Sequence, residues 1–197
     1  MSINNGNNDL VEYLHSLSGE IDPKQGSVAI ILAAGHGKRI KSERSKMLHE
    51  IWGVPTVVRV ANAASKGLAS NNQIIVVGIK ACEVAESAGK RANRIFVYQT
   101  EQKGTGHAVK EALSAISQNG HIKDIYIFPG DMGLITPAVV SELKRRFEQS
   151  GCGLALLTGN YKGEPEANSY GRICLLYTSD AADDLLCVDP CGRRIIK

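Results

Sequence analysis

The chain has 197 residues, 43% of them hydrophobic, and 23 Lys and Arg against 20 Asp and Glu give a formal charge of +3. That is chain enough for one ordinary domain with a sizeable core, which excludes the fibrous and disordered classes. A mild charge without a clustered basic stripe argues against a nucleic-acid binder, and no run reaches the ~18 apolar residues of a membrane span.

The polar start, Met1-Ser-Ile-Asn-Asn-Gly, has no signal-peptide core, so the cytoplasm is the expected compartment. Leu10, Tyr13, Leu14 and Leu17 fall on one helical face, which predicts a short amphipathic helix capped by Asp9 and ended by Gly19. Residues 1–25 therefore read as an extension that docks on the domain or on a partner. The body then alternates apolar runs with helical patterns. Val28–Ala33, Gln73–Val77, Ile95–Tyr98, Asp124–Phe128 and Gly153–Thr158 read as strands. Residues 55–66, 81–91, 106–117 and 137 to about 149 read as helices, with Pro55 in the first turn of the earliest. Strand–helix alternation predicts a parallel sheet with helices on both faces. Ligands of such sheets bind beyond the carboxyl ends of the strands. The loops after residues 33, 98 and 128 are thus the candidate site. Cys82, Cys152, Cys174, Cys187 and Cys191 form no C-x-x-C pair and read as free thiols.

The first loop is Leu32-Ala33-Ala34-Gly35-His-Gly37-Lys38-Arg39-Ile-Lys41, continuing to Lys46. Its glycines allow close backbone approach, small Ala33 and Ala34 leave room for a flat group, and Lys38, Arg39, Lys41 and Lys46 suit a polyphosphate. Ile40 breaks a dinucleotide fingerprint, and Arg39 after Lys38 breaks a P-loop. An ordinary turn with solvated lysines is the competing reading. The second loop, Gln99-Thr-Glu-Gln102-Lys-Gly104-Thr105-Gly106-His107, offers two amides able to match a uracil edge and opens a helix N-terminus; a Thr-capped glycine turn is the alternative. The third, Pro129-Gly130-Asp131-Met132-Gly133, ends a buried strand in a carboxylate suited to Mg²⁺ or to capping the next turn.

L-A-A-G-x-G-x-R followed by K-x-L resembles the signature of sugar nucleotidyltransferases. Residues 49–55 and Q-x-x-Q-x-G-T-G-H-A are similar to segments of the bifunctional N-acetylglucosamine-1-phosphate uridyltransferase family. The resemblance covers residues 26–173 and includes Ser-Tyr-Gly171-Arg-Ile. It departs at Lys38, which replaces a common Thr, and at Pro129, which replaces a Tyr near the sugar. It implies an incomplete Rossmann-like α/β/α three-layer sandwich of the nucleotide-diphospho-sugar transferase type. It also implies UTP and a sugar-1-phosphate as substrates and Mg²⁺ as cofactor. Leu32, Ala33, Ala34 and Gly35 would meet the nucleotide, with Gln99, Gln102, Gly104 and Thr105 on the base. Gly130 and Gly171 would lie against substrate, Arg39 on the pyrophosphate portion, Lys46 on the α- or sugar phosphate, and Asp131 on the metal. Oligomerisation would run through a C-terminal domain beyond this chain. The rivals are another sugar or base within the same superfamily, and a non-catalytic sugar-nucleotide sensor.

At Cys174 the composition breaks and the resemblance stops. Cys174–Asp183 back-translates in one frame to a sequence like a transposase adapter used in preparing sequencing libraries. Residues 174–197 are accordingly expected to be foreign to the fold, and the chain as written to be inactive and prone to aggregate.

Overall fold

The computed structural model describes residues 5–35, 45–116, 122–159 and 162–164. The chain separates into Met1–Ala155 and Leu156–Lys197. The described residues of the second unit, 156–159 and 162–164, are exposed and carry neither helix nor strand.

The first unit is built on four parallel strands: β1 (Ser27–Ala33), β4 (Gln73–Val77), β5 (Arg94–Tyr98) and β6 (Asp124–Pro129), ordered β5-β4-β1-β6. Alternate residues of β1 divide the core. Ala29, Ile31 and Ala33 pack with α2 (Thr56–Leu68), α3 (Ala81–Ala88) and Val140 of α5 (Pro137–Ser150). Val28 and Ile30 pack with Ala108, Ala112 and Ile116 of α4 (Thr105–Ile116). This is the α/β/α sandwich the alternation of elements predicts. The chain winds outward from β1 to β4 and β5, then crosses back to lay β6 on the other side of β1. Right-handed crossovers running in opposite directions place α4 on the face opposite α2 and α3. The crevice between the carboxyl ends of β1 and β6 is therefore the switch point where such sheets bind ligands.

Several boundaries differ from the sequence expectations. The N-terminal helix α1 (Asn5–Leu17) starts before Asp9, so Asp9 is an interior residue and not its cap. Leu14 is buried, and Leu10 and Leu17 pack on the same core. The following segment lies along the β5 edge: Gly19 N donates to Arg94 O at 2.6 Å, Glu20 N to Ala92 O at 2.8 Å, and Phe96 N to Ser18 Oγ at 3.0 Å. The extension thus docks on its own domain and protects an otherwise open strand edge. Pro55 is the N-cap of α2 rather than part of its first turn, because it belongs to a two-stranded hairpin, β2 (Glu50–Ile51) and β3 (Val54–Pro55). Helix α3 stops at Ala88, where Gly89 takes a φ of 72°.

The fifth expected strand, Gly153–Thr158, does not form; residues 151–159 are irregular and exposed. An apolar run becomes a strand only when a neighbour takes its backbone hydrogen bonds, and no described strand pairs with residues 153–158. On the α4 side of β6, Ile125 and Ile127 are 40% and 48% exposed, with no helix over them among the described residues.

Beneath β6, Tyr126 packs edge-on against Phe147 of α5, ring centroids 6.3 Å apart. Its hydroxyl is buried with no partner among the described residues, and burial, with Asp124 and Glu148 adding, pushes it up to about 12. Tyr126→Phe keeps the ring and removes an unsatisfied polar atom. Urea unfolding should show equal or greater stability, by up to about 1 kcal/mol; a loss of that size would mean the hydroxyl is satisfied.

Candidate functional site

The three loops selected from sequence follow β1, β5 and β6, and hydrogen bonds join the last two to β1 and to the loop that follows it. Gly130 N donates to Leu32 O at 2.9 Å, carrying the β1–β6 ladder into the loop. A Cβ on Gly130 would lie 2.9 Å from both Leu32 O and Met47 Sδ, so only glycine lets these chains come so close. Met47 belongs to a one-turn 3-10 helix, Lys46–Leu48, capped by Ser45. Thr56 Oγ1 donates to the carbonyls of Lys46 and Met47, both at 3.1 Å, which fixes that turn to the start of α2. Lys46 and Asp131 are therefore carried by neighbouring backbone, on either side of the Met47–Gly130 contact.

Asp131 is exposed at the turn after β6. Among the described residues its carboxylate takes no hydrogen bond or ion pair. The cap of α5 is instead Thr136, whose side chain accepts from Val139 N at 3.3 Å. The capping role open to Asp131 in the sequence thus falls to another residue. The loop is braced from α2 by Arg59, whose Nε donates to Gly133 O at 2.7 Å and whose guanidinium lies 4.7 Å over the Trp52 ring. Trp52 forms the hairpin tip, 82% exposed. Among the described residues no three His, Cys, Asp or Glu side chains gather into a metal cage. A single free carboxylate facing solvent could supply one ligand to a divalent cation whose other ligands come from outside the protein.

Ala33 and Ala34 are buried, while Gly35 is exposed at the mouth of the crevice. The loop after β5 closes on them. Gln102 Nε2 donates to Ala34 O at 2.9 Å, tying the glutamine loop to the loop after β1. Gln99 is only 4% exposed. Its Nε2 donates to Gly104 O at 3.3 Å and lies 3.0 Å from His107 Nδ1. Gly104 turns at φ 101°, and Thr105 opens α4. The two amides thus hold the loop's shape with their nitrogens. This was not legible from the motif, which offered both simply as ligands of a base. His107, named in the motif without a role, and Glu111, outside it, enter the site through these contacts: His107 Nε2 lies 3.4 Å from Glu111 Oε1 one helical turn on. The i,i+4 spacing was the signal that could have found the pair. Gly37, Lys38, Arg39, Lys41 and Gly171 lie outside the described residues.

A crevice at the switch point of a parallel sheet, floored by an Ala-Ala-Gly turn, walled by an amide-rich loop and flanked by Lys46 and a free carboxylate, has the features of a nucleotide-handling domain. The chain belongs to the MobA-like NTP transferase domain family, whose match covers residues 29–191. Among curated relatives, the bifunctional protein GlmU of Desulfotalea psychrophila is 37% identical over 179 residues, 87% of this chain and 50% of that protein. The bifunctional protein GlmU of Shouchella clausii is 38% identical over 149 residues, 75% of this chain and 31% of that one. The chain spans half or less of the length of these relatives. Among solved structures, a nucleotidyl transferase from Methanothermobacter thermautotroptrophicus has a TM-score of 0.49 at 21% identity, covering 60% of this chain and 56% of that one. Rv0371c from Mycobacterium tuberculosis H37Rv has a TM-score of 0.47 at 16% identity, covering 62% and 61%. No helix of the described residues is long and apolar enough to cross a membrane.

Proposed function

We propose that this domain carries out uridylyl transfer, joining UTP and N-acetylglucosamine-1-phosphate to give UDP-N-acetylglucosamine and pyrophosphate, in the cytoplasm where the nucleotide is made. The observation that carries the reading is the tie between Gln102 and Ala34 O, which brings the amide loop against the phosphate-loop strand. Family membership and GlmU relatives above 35% identity support it. An oxygen of the sugar phosphate attacks the α-phosphorus of UTP, the bond from that phosphorus to the bridging oxygen breaks, and pyrophosphate leaves with the electron pair. No covalent enzyme intermediate is needed, so the protein's task is to align the two phosphates and neutralise their charge. The backbone from Leu32 to Gly35 lines the nucleotide. Gln99, Gln102, Gly104 and Thr105 surround the base, Gly130 shapes the crevice floor, and Gly171 meets the sugar. Lys46 meets the α-phosphate or the sugar phosphate, and Arg39 clamps the pyrophosphate portion. Mg²⁺ held by Asp131 would supply further neutralisation of phosphate charge.

Calorimetric titration of the chain with UTP and CTP tests the base assignment. UTP should bind at least tenfold more tightly, the worth of one well-placed hydrogen bond. Equal affinities would remove uracil from the reading. Arg39→Lys keeps the charge but loses the two-pronged geometry, so turnover of the full-length protein should fall about tenfold with little change in melting temperature. A variant as active as wild type would put Arg39 on the solvated surface.

A further inference from the structure

We propose that His107, with Glu111 beside it, is a positioning residue that fixes the direction of the Gln99 amide and thereby sets the preference for uracil; this rests on the uridylyl-transfer reading above. The orientation follows from the neighbours. Gly104 O can only accept, and it lies 3.3 Å from one end of the Gln99 amide, so that end is the NH2. The same nitrogen is 3.0 Å from His107 Nδ1. An NH2 facing an imidazole nitrogen requires that nitrogen to be the bare acceptor, so the ring proton sits on Nε2. There the negative charge of Glu111 Oε1, 3.4 Å away, favours the proton. Glu111 thus favours the tautomer that the Gln99 amide requires, that tautomer accepts from Gln99, and both amide hydrogens of Gln99 have acceptors.

What remains of the Gln99 side chain is its carbonyl oxygen, which meets no donor among the described residues. A bare acceptor matches the N3–H of uracil and opposes the N3 lone pair of cytosine. If Gln99 were free to rotate its amide by half a turn, it could offer NH2 to cytosine equally well. Discrimination thus depends on the anchor behind the glutamine as well as on the glutamine. His107 sits behind Gln99 and reads the base only through it.

The test is calorimetric titration of the chain with UTP and with CTP in wild type, His107→Ala and His107→Asn. Alanine removes the acceptor. The UTP-over-CTP preference should then fall about tenfold through weaker UTP and equal or tighter CTP, the Gly104 carbonyl alone retaining a part. Asparagine restores an acceptor at nearly the position of Nδ1, so His107→Asn should keep most of the wild-type preference. An unchanged ratio in His107→Ala would overturn the inference, as would a loss affecting both nucleotides equally, which marks a merely structural role. A wild-type chain that binds UTP and CTP alike overturns the uracil assignment itself and this inference with it. A wild type that prefers UTP beside an unchanged His107→Ala ratio overturns His107 alone.

Discussion

Asp131→Asn is expected to lower turnover of the full-length protein by about 10²–10³-fold, the scale of losing one charge-stabilising group at a reacting centre, while leaving the fold untouched. The amide has the shape of the carboxylate, so packing does not change. Asp131 is exposed and takes no hydrogen bond among the described residues, so no folded-state interaction is lost. Its neighbour Gly130, pressed against Leu32 O and Met47, keeps the turn in place whatever the charge at 131. The loss should therefore appear in Mg²⁺-dependent pyrophosphate release and not in the thermal melt. Near-normal activity with the usual Mg²⁺ dependence would make Asp131 a turn-former only.

The largest effect on stability is expected at the opposite end of the sheet. Arg94, the first residue of β5, is 1% exposed, and among the described residues its guanidinium has no carboxylate partner. Its Nε and Nη2 donate to Gln73 Oε1 at 3.0 and 2.6 Å, and its Nη1 to the carbonyls of Ala88 and Gly89. Gln73 in turn donates to Ala61 O at 2.6 Å. These two buried side chains thus join β4, β5, α2 and the end of α3. Burial, with Arg91 adding, pushes the pKa of Arg94 down to about 10, which still leaves it charged at neutral pH. Arg94→Ala strands three acceptors and opens a cavity, at a cost of about 3–5 kcal/mol. Native domains have only about 5–15 kcal/mol to lose. The urea midpoint should drop sharply. Arg94→Lys, which supplies charge without the fork, should recover only part. A midpoint within error of wild type would mean the knot is solvated in solution. Nucleotide affinity of the folded fraction should not change, because the knot lies at the amino ends of the strands and the crevice at their carboxyl ends.

The contrast between these two residues shows what was legible in the sequence. Val28–Ala33 announced a strand because burial on both faces requires an unbroken apolar run. Asp131 stood out because a carboxylate closing such a run has no place in a core. Gln73 and Arg94 gave no signal. Polar residues at strand starts read as solvent-facing ends, and their acceptors come together only when α2 and α3 have packed. The β2–β3 hairpin was hidden for a local reason. Trp52 and Gly53 both take positive φ, 52° and 72°, and a tryptophan there is not the residue that advertises such a turn. Gly153–Thr158 failed in the other direction: periodicity marks what can be a strand, while the ladder that makes it one is a property of the whole sheet. In the site, residue types were readable and directions were not. The two glutamines were chosen for donor and acceptor ends, but which end faces the crevice depends on Gly104 O, Ala34 O and His107.

Pyrophosphate release by the full-length protein tests the central claim most directly, with UTP, CTP, GTP and dTTP each paired against N-acetylglucosamine-1-phosphate, glucose-1-phosphate and other sugar phosphates in the presence of Mg²⁺. The account predicts turnover with UTP and N-acetylglucosamine-1-phosphate well above every other pair. Tight UTP binding without pyrophosphate from any pair, or a preferred base other than uracil, would contradict it.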